Sequence, residues 1–269
     1  RGARMSRTVA SLLLAALAAA WLAGCAGGPS PTEPIAETGT ITGEPGDPRN
    51  RAKVHTDLAA LYYGRGNMAI ALEELRMATA ADSSYATAYS IFGLVYTDLR
   101  ENQLAQQNFE RALRLAPTDP DINHNFGWFL CQTKRENEAI KYFMQAVRNP
   151  LYPAPWRSYS AAGVCAMRVN NMKDAENYLL IALKQEPNDL GSLLPLGEIR
   201  YRQGNLDEAR RLVSRFNKLV EPTSESLWLA LRIERKLGER LAEASFANQL
   251  RRRFSSSREY QLLQRGEYD

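Results

Sequence analysis

Histidine and cysteine are scarce in this sequence, with two and three copies among 269 residues. His55 and His124 have no second ligand at metal-binding or catalytic-triad spacing. The chain also lacks His-Glu-x-x-His, Gly-x-Ser-x-Gly and a glycine-rich phosphate loop. Adjacent acids such as Glu73 and Glu74 are typical of a solvated helix face. The sequence therefore predicts that the protein is not an enzyme and has no metal site.

A strong excess of one charge sign is also missing. The formal net charge is +4, but Arg1, Arg4 and Arg7 supply three of these charges and residues 1–24 contain no acid. A nucleic-acid-binding protein needs a basic face to neutralise phosphates. The remaining basic run, residues 251–253, is more typical of a solvated helix face than of a binding patch. We therefore predict no nucleic-acid partner.

Long apolar runs are absent except near the beginning of the chain, where residues 8–22 are mostly Ala and Leu. This run is shorter than the roughly 20 residues of a membrane span. It follows basic residues and precedes small ones, as in a secretory signal peptide. We expect residues 1–24 to be this signal peptide, with Met5 as a candidate start and residues 1–4 upstream of it.

The signal ends in Leu22-Ala23-Gly24-Cys25, which resembles the bacterial lipobox. In that class of signals a diacylglycerol is attached to the cysteine thiol and a peptidase cuts just before the cysteine. The resemblance implies lipidation of Cys25 and no other cofactor. Ala26, where an Asp would retain the protein in the inner membrane, implies a lipid anchor in the outer membrane, facing the periplasm. The alternative is a plain signal peptide followed by an unmodified cysteine.

Residues 25–50 begin with Cys25 and are rich in Pro, Gly, Thr and Glu, with almost no large apolar side chains. Such a stretch cannot bury enough surface to offset the entropy lost on ordering. We predict a disordered tether that spans about 25–30 Å as a flexible coil.

A period of about 34 residues organises the rest of the chain. Two units read Tyr89-x2-Phe92-Gly93-x2-Tyr96 with Ala105-x3-Phe109-x2-Ala112, and Asn123-x2-Phe126-Gly127-x2-Leu130 with Ala139-x3-Phe143-x2-Ala146. This pattern resembles the tetratricopeptide repeat, a helix-turn-helix unit. We expect the small residue at the place of Gly93 and Gly127 to let the two helices of a unit approach closely.

The pattern extends in both directions with lower fidelity, as terminal repeats should because they cap the stack. We predict an all-α, right-handed superhelix of about six repeats over residues 51–254, followed by a C-terminal tail at 255–269. Between the third and fourth repeats the period lengthens by two residues, in a segment with three prolines at 149–155. This segment is either a longer loop or a local bend that shapes a partner site.

In this repeat family the first helices of successive units line a groove that binds extended or helical peptides. The residues of this face are inferred from repeat positions 2, 5, 9 and 12, which share one helical side. The candidates for partner contacts are Tyr63, Leu94, Trp128 and Met167. Trp128 is the preferred anchor, because interfaces concentrate their binding energy in Trp, Tyr and Arg. Burial against a neighbouring repeat is the alternative for Trp128.

Cys131 and Cys165 remain once Cys25 is assigned to the lipid. They fall on the first helices of adjacent repeats, in a compartment expected to be oxidising. A disulfide between them is possible and would contribute roughly 3–4 kcal/mol in the chain-entropy model. The alternative is a pair of free buried thiols.

The segment from Asp121 to Lys134, with Asn-His-Asn-Phe-Gly-Trp-Phe-Leu-Cys at its centre, resembles the type IV pilus biogenesis and stability lipoproteins of the PilF/PilW family. The match continues through Glu138-Ala139 and through Asn-Pro-Leu-Tyr-Pro at residues 149–153. Family members often have a second Asn at the position of His124. The resemblance implies a pilotin, which binds the pilus secretin and promotes its localisation and multimerisation in the outer membrane. It adds these candidates for partner contacts: Asn123, His124, Asn125 and Phe129.

Asn123 and Asn125 have an alternative role, which is to brace the repeat turn. Two other functions also fit a tethered repeat protein. One is an adaptor for a periplasmic protease or cell-wall hydrolase, and the other is a lipoprotein that serves outer-membrane barrel assembly.

Overall fold

The computed structural model describes residues 46–268, which form helices and no strand over this range. Residues 1–45, with the predicted signal peptide, Cys25 and most of the tether, lie outside the described residues. The thirteen helices are α1 (Pro48–Gly64), α2 (Met68–Ala81), α3 (Ala86–Asp98), α4 (Asn102–Leu115), α5 (Pro120–Gln132), α6 (Glu136–Val147), α7 (Pro155–Arg168), α8 (Met172–Gln185), α9 (Leu190–Arg202), α10 (Leu206–Leu219), α11 (Ser224–Leu237), α12 (Arg240–Arg253) and α13 (Arg258–Arg265).

The first twelve helices pack as six consecutive pairs, from α1 with α2 to α11 with α12. This confirms the predicted all-α superhelix of tetratricopeptide repeats. The first helix begins at Pro48, slightly before the boundary expected at residue 51. The segment expected as a C-terminal tail contains α13, which packs on both helices of the sixth pair.

Helix starts follow local chemistry. The Asp119 carboxylate accepts a hydrogen bond from the backbone N–H of Ile122 at 3.0 Å, and Pro120 occupies the first helical position of α5. Pro needs no hydrogen-bond acceptor there, because the first N–H groups of a helix have no intrahelical partner. Thr223 and Ser226 form a capping box at the start of α11.

Each repeat turns between its two helices through one residue in the left-handed region. These residues are Gly66, Arg100, Lys134, Asn170, Gly204 and Gly238, with φ between 59° and 79°. They are 34 residues apart, except for the 36 between the third and fourth. The turn geometry is therefore constant, although glycine occupies only half of these positions.

Within a repeat, a helical glycine lets the second helix come close. A Cβ placed on Gly93 would lie 2.6 Å from the Phe109 ring, and one on Gly127 would lie 2.8 Å from the Phe143 ring. Real Cβ atoms do not approach this closely, so the small residue is required. The expected role of these glycines is confirmed.

The first helices of neighbouring repeats contact one another along the whole stack, whereas the second helices of neighbouring repeats do not. Elements on the inside of a curved stack lie closer together than those on the outside. The first helices therefore form the inner face of the superhelix, which we call the groove. The groove is lined by α1, α3, α5, α7, α9 and α11.

Candidate functional site

Trp128, the preferred anchor, lies on the groove. It is 39% exposed, and it lines hollows on both of its sides. One hollow extends toward Thr97 and Asp98 of the second repeat, and the other toward Val164 of the fourth. An exposed indole between two hollows can contact a partner without moving, so the alternative of burial against a neighbouring repeat does not apply.

At the N-terminal end of the groove, Tyr63 is half-buried and its hydroxyl donates to the carboxylate of Asp98 at 2.8 Å. Burial first and this carboxylate second raise the pKa of Tyr63, so its hydroxyl stays protonated as a donor. Leu94 is partly buried and packs against a core cluster. Both residues lie on first helices and are partly exposed, and each is also held by its neighbours.

Two of the predicted contacts are wrong. Asn123 is 1% exposed, and its amide donates to the carbonyls of Pro117 at 2.9 Å and Asp119 at 2.8 Å. Asn123 thus has a bracing role, as in the alternative, but at the connection between the second and third repeats. Phe129 is also 1% exposed, with its ring centroid 5.5 Å from that of Phe109. The helical period places these two side chains on the core side of α5 and leaves Trp128 on the groove side.

His124 and Asn125 connect neighbouring repeats. His124 Nδ1 is 2.8 Å from the hydroxyl of Ser158 in the fourth repeat, and the Asn125 amide donates to the hydroxyl of Ser90 in the second at 3.1 Å. Burial, and secondarily the charge of Arg157, lower the pKa of His124 to about 4. The imidazole is therefore neutral at physiological pH and acts as a structural hydrogen-bonding group.

Cys131 and Cys165 are joined by a disulfide, with a Cα–Cα distance of 6.0 Å. The bond links α5 to α7 beneath the groove surface, where both residues are 1% exposed. Arg168 adds a second link across the same junction by donating to the Cys131 carbonyl at 2.8 Å.

The Leu-Tyr-Pro segment lies against the same junction. Leu151 is fully exposed, whereas Tyr152 is buried and its hydroxyl accepts from Ser158 at 3.3 Å. Since Ser158 also bonds His124, one polar chain joins the inserted segment to α5 and α7. The two stretches that carry the family resemblance, residues 121–134 and 149–153, therefore meet in space.

The hollow between Trp128 and Val164 is followed along the groove by one further hollow. We call the first the mixed hollow, of about 250 Å³, lined by His124, Trp128, Arg157, Ser160, Ala161, Val164, Cys165, Asp189 and Gly191. We call the second the apolar hollow, of about 440 Å³, lined mostly by Val164, Met167, Met172, Leu194, Pro195, Trp228 and Leu229. Because Val164 lines both, the hollows are neighbours.

The apolar hollow contains the predicted residue Met167 and others that sequence reasoning missed. Met172 was missed because it begins a second helix, outside the groove positions. Trp228 was missed as a groove residue because the sixth repeat is degenerate, although it stands at repeat position 5. Extending the four groove positions into the sixth repeat finds Trp228 and Arg232.

Charged groups at the rim of the apolar hollow neutralise one another. Glu198 accepts from Arg232 at 2.6 Å and from Arg202 at 2.8 Å. Arg232 also lies over the ring of Tyr201, 4.6 Å from its centroid. This network joins α9 to α11, and with Arg168, Glu225 and Glu259 the lining has three cations and three acids and thus no net charge.

Within residues 46–268 no group of three or more His, Cys, Asp or Glu side chains is arranged to hold a metal ion. Over the same range, no helix combines the length and the apolar character needed to cross a membrane.

Comparison with protein families identifies tetratricopeptide repeats at residues 86–119 and 120–149. The type IV pilus assembly protein PilF of Pseudomonas aeruginosa is 28% identical over 203 residues, which cover 76% of this chain and 81% of PilF. An uncharacterised Haemophilus influenzae protein is 27% identical over 121 residues, 45% of this chain and 68% of that protein.

Two solved structures show the same similarity to type IV pilus proteins. The crystal structure of PilW, described as a widely conserved type IV pilus biogenesis factor, superposes with a TM-score of 0.72 at 28% identity and covers 79% of this chain and 98% of PilW. The structure of P. aeruginosa PilF gives 0.76 at 26% identity, covering 81% and 99%. The family resemblance predicted from the sequence is confirmed.

Proposed function

We propose that this chain, a tetratricopeptide-repeat homologue of the type IV pilus biogenesis factors PilF and PilW, is a pilotin. It would be anchored in the outer membrane through a lipid on Cys25, hold the pilus secretin in its groove, and promote the localisation and multimerisation of that secretin. The observation that carries the proposal is homology over almost all of the described repeats, together with an open groove whose walls are fixed.

The groove supports a binding role for physical reasons. Trp128 presents a large side chain on a first helix, and its neighbours are fixed by a disulfide and by hydrogen bonds between repeats. A surface that is ordered before binding pays less entropy when the partner docks. Exposed aromatic side chains in such a setting are typical interaction hot spots.

The tether expected at residues 25–50 would raise the local concentration of the groove near a partner in the same membrane. A partner that reaches the same membrane meets the groove at an effective concentration set by the tether length, so strong intrinsic affinity is unnecessary. Loss of the anchor should therefore impair function even when the repeats fold normally.

The test is the amount of heat-resistant secretin multimer in outer-membrane fractions. We would compare wild type, a deletion strain and Cys25→Ala. We expect deletion to abolish the multimer and Cys25→Ala to leave secretin monomers in the wrong membrane. Unchanged multimer in both strains would overturn the proposal and favour an adaptor for another periplasmic protein.

A matched pair of variants tests the groove itself. Trp128→Ala removes an exposed side chain from the inner face, whereas Leu180→Ala removes one that is similarly exposed, at 41%, on the second helix α8. We expect the first to reduce the multimer and the second to leave it unchanged. Equal effects would argue against binding through the groove.

A further inference from the structure

The C-terminal half of the groove contains features that indicate what kind of segment it binds. The apolar hollow is walled by side chains of the fourth, fifth and sixth repeats, including Met167, Leu194 and Trp228. Its volume, about 440 Å³, lies within the range of small-molecule and side-chain pockets. Two methionines in one wall can adapt to ligands of different shape.

The chain itself already places a side chain on this face. Tyr268 follows α13 in an irregular segment and stacks on Trp228, with ring centroids 5.6 Å apart. Arg235 covers the same tyrosine, 3.8 Å from its centroid. Trp228 and Arg235 stand at groove positions 5 and 12 of the sixth repeat. The groove of this repeat therefore accepts an aromatic side chain from a non-helical segment.

The neighbouring mixed hollow offers unused hydrogen-bonding groups. Ser160 is 5% exposed, and its hydroxyl has no hydrogen-bond partner among residues 46–268. The hydroxyl oxygen is not one of the fully enclosed polar atoms, so water or a ligand can reach it and supply the missing hydrogen bond.

Helix α9 supplies a second such group. Pro195 has no N–H, so the usual helical bond to the carbonyl of Gly191 is missing. Gly191 also lacks a side chain at a place where a Cβ would lie 2.5 Å from the Ser160 hydroxyl oxygen. Ser160 and the backbone of Gly191 thus remain accessible together.

Charge gives no preference for an ionic ligand at either hollow. The apolar hollow is lined by three arginines and three glutamates, which are Arg168, Arg202, Arg232, Glu198, Glu225 and Glu259. The mixed hollow has one cation, Arg157, and one acid, Asp189, with no ion pair between them. Opposite charges of equal number favour an occupant without net charge.

We propose that the last three repeats bind an extended, uncharged peptide segment with one bulky apolar side chain. That side chain enters the apolar hollow, and an adjacent backbone N–H donates to the hydroxyl of Ser160. The inference rests on the proposed function for the existence of a protein partner, and it specifies the chemistry of the segment that the partner supplies.

The test uses synthetic probes, so that it does not depend on any secretin. Capped peptides of constant Gly-Ser sequence carry Phe, Leu, Ala, Asp or Lys at their centre. Binding to the purified chain is followed through the methionine methyl signals in NMR spectra. Met167 and Met172 line the hollow, whereas Met68 and Met77 lie in the first repeat and serve as internal controls.

We expect the Phe and Leu peptides to shift the signals of Met167 and Met172 and to bind roughly tenfold more tightly than the Ala peptide. The Asp and Lys peptides should bind no better than the Ala peptide. Equal shifts with the Phe and Ala peptides, or equal shifts at Met68 and Met77, would overturn the inference.

Two pairs of variants sharpen the test. Leu194→Gln should weaken binding of the Phe peptide roughly tenfold, whereas Leu180→Gln on the outer face should leave this binding unchanged. Ser160→Ala should weaken binding severalfold without lowering Tm, because its hydroxyl has no partner in the chain. Ser158→Ala, which loses bonds to His124 and Tyr152, should lower Tm. Full binding by Ser160→Ala would refute the hydrogen bond.

The outcomes also separate the two proposals. If secretin multimers are independent of this protein but the Phe peptide still selects the hollow, only the secretin assignment fails. If multimers depend on the protein but the peptides show no selectivity, the pilotin role remains and the partner is held elsewhere.

Discussion

Two neighbouring junctions of the superhelix differ in how they are held together. Between the second and third repeats the period is 34 residues, and the first helices α3 and α5 pack together with one polar link, from Asn125 to Ser90. A second polar link, from Arg135 to Gln106 at 3.2 Å, joins the third repeat to α4. Between the third and fourth repeats two residues are added, and α5 and α7 contact each other less than any other pair of neighbouring first helices.

The irregular junction has links that the regular one lacks. It contains the disulfide Cys131–Cys165, the polar chain from His124 through Ser158 to Tyr152, and the bond from Arg168 to the Cys131 carbonyl. Covalent and polar links thus stand where packing between first helices is reduced. At the same junction α6 packs on α7 more extensively than any other second helix packs on the first helix of the next repeat. The inserted segment thus shifts the packing from the first helices to α6 and α7, and the covalent and polar links stand where the first helices have moved apart.

Removing the disulfide should destabilise the irregular junction more than any other change. We expect the double variant Cys131→Ala with Cys165→Ala to lose roughly 3–4 kcal/mol of unfolding free energy, because the closed loop spans 34 residues. Urea unfolding followed by circular dichroism measures the change. Adding a reductant is the control, because it should destabilise wild type and leave the double variant unchanged. A wild type indifferent to reductant would contradict the prediction.

The polar chain at the same junction predicts a dependence on pH. The pKa of His124 falls from 6.5 to about 4 in the folded protein, so between these values the unfolded chain binds a proton that the folded chain does not. The free energy of unfolding should therefore decrease by up to about 3 kcal/mol as pH falls from neutral to 4.

His124→Asn should remove this part of the pH dependence, since Asn does not titrate. The contributions of the carboxylates are common to both proteins and cancel when the two unfolding curves are subtracted. Parallel curves for wild type and variant across this range would show that His124 is not buried as a neutral group.

The sequence predicted the packing inside the repeats better than the irregular junction between repeats. Spacing identified the glycines at 93 and 127 because close packing leaves the same small residue in each repeat. The chain that joins His124, Ser158 and Tyr152 was not predicted, because its members belong to different segments and have no common period. The disulfide remained one of two alternatives, since repeat positions give adjacency but not distance.

The errors on α5 have a different cause. The family motif drew attention to a continuous stretch, but successive residues of a helix face different directions. Asn123 and Phe129 face the core, whereas Trp128 faces the groove. Helix α13 was not predicted because residues 255–269 contain no copy of the repeat.

The regular junction should respond less to loss of the polar link between its first helices. We expect Asn125→Ala or Ser90→Ala to cost about 1 kcal/mol each, and a double-mutant cycle to give a coupling of similar size. Urea unfolding of the four proteins measures it. Additive effects would mean that the hydrogen bond between Asn125 and Ser90 contributes nothing to the stability of this junction.

The smallest expected effect concerns the turns inside each repeat, which are the same on both sides of the irregular junction. Arg100 and Lys134 have φ of 62° and 63°, a region that costs L-residues roughly 1–2 kcal/mol and glycine almost nothing. Part of that gain is offset by the greater freedom of glycine in the unfolded chain. Arg100→Gly and Lys134→Gly should therefore each stabilise the protein by about 0.5 kcal/mol.

Asn170→Gly provides the matched control, because Asn tolerates this region better than Arg or Lys and should gain less. Thermal unfolding of the three variants would show whether the turns are equivalent. Equal gains at residues 100 and 134 would mean that the turns inside the repeats contribute to stability independently of the junctions between repeats. A gain at residue 100 with a loss at residue 134 would instead show that the irregular junction strains the repeat before it.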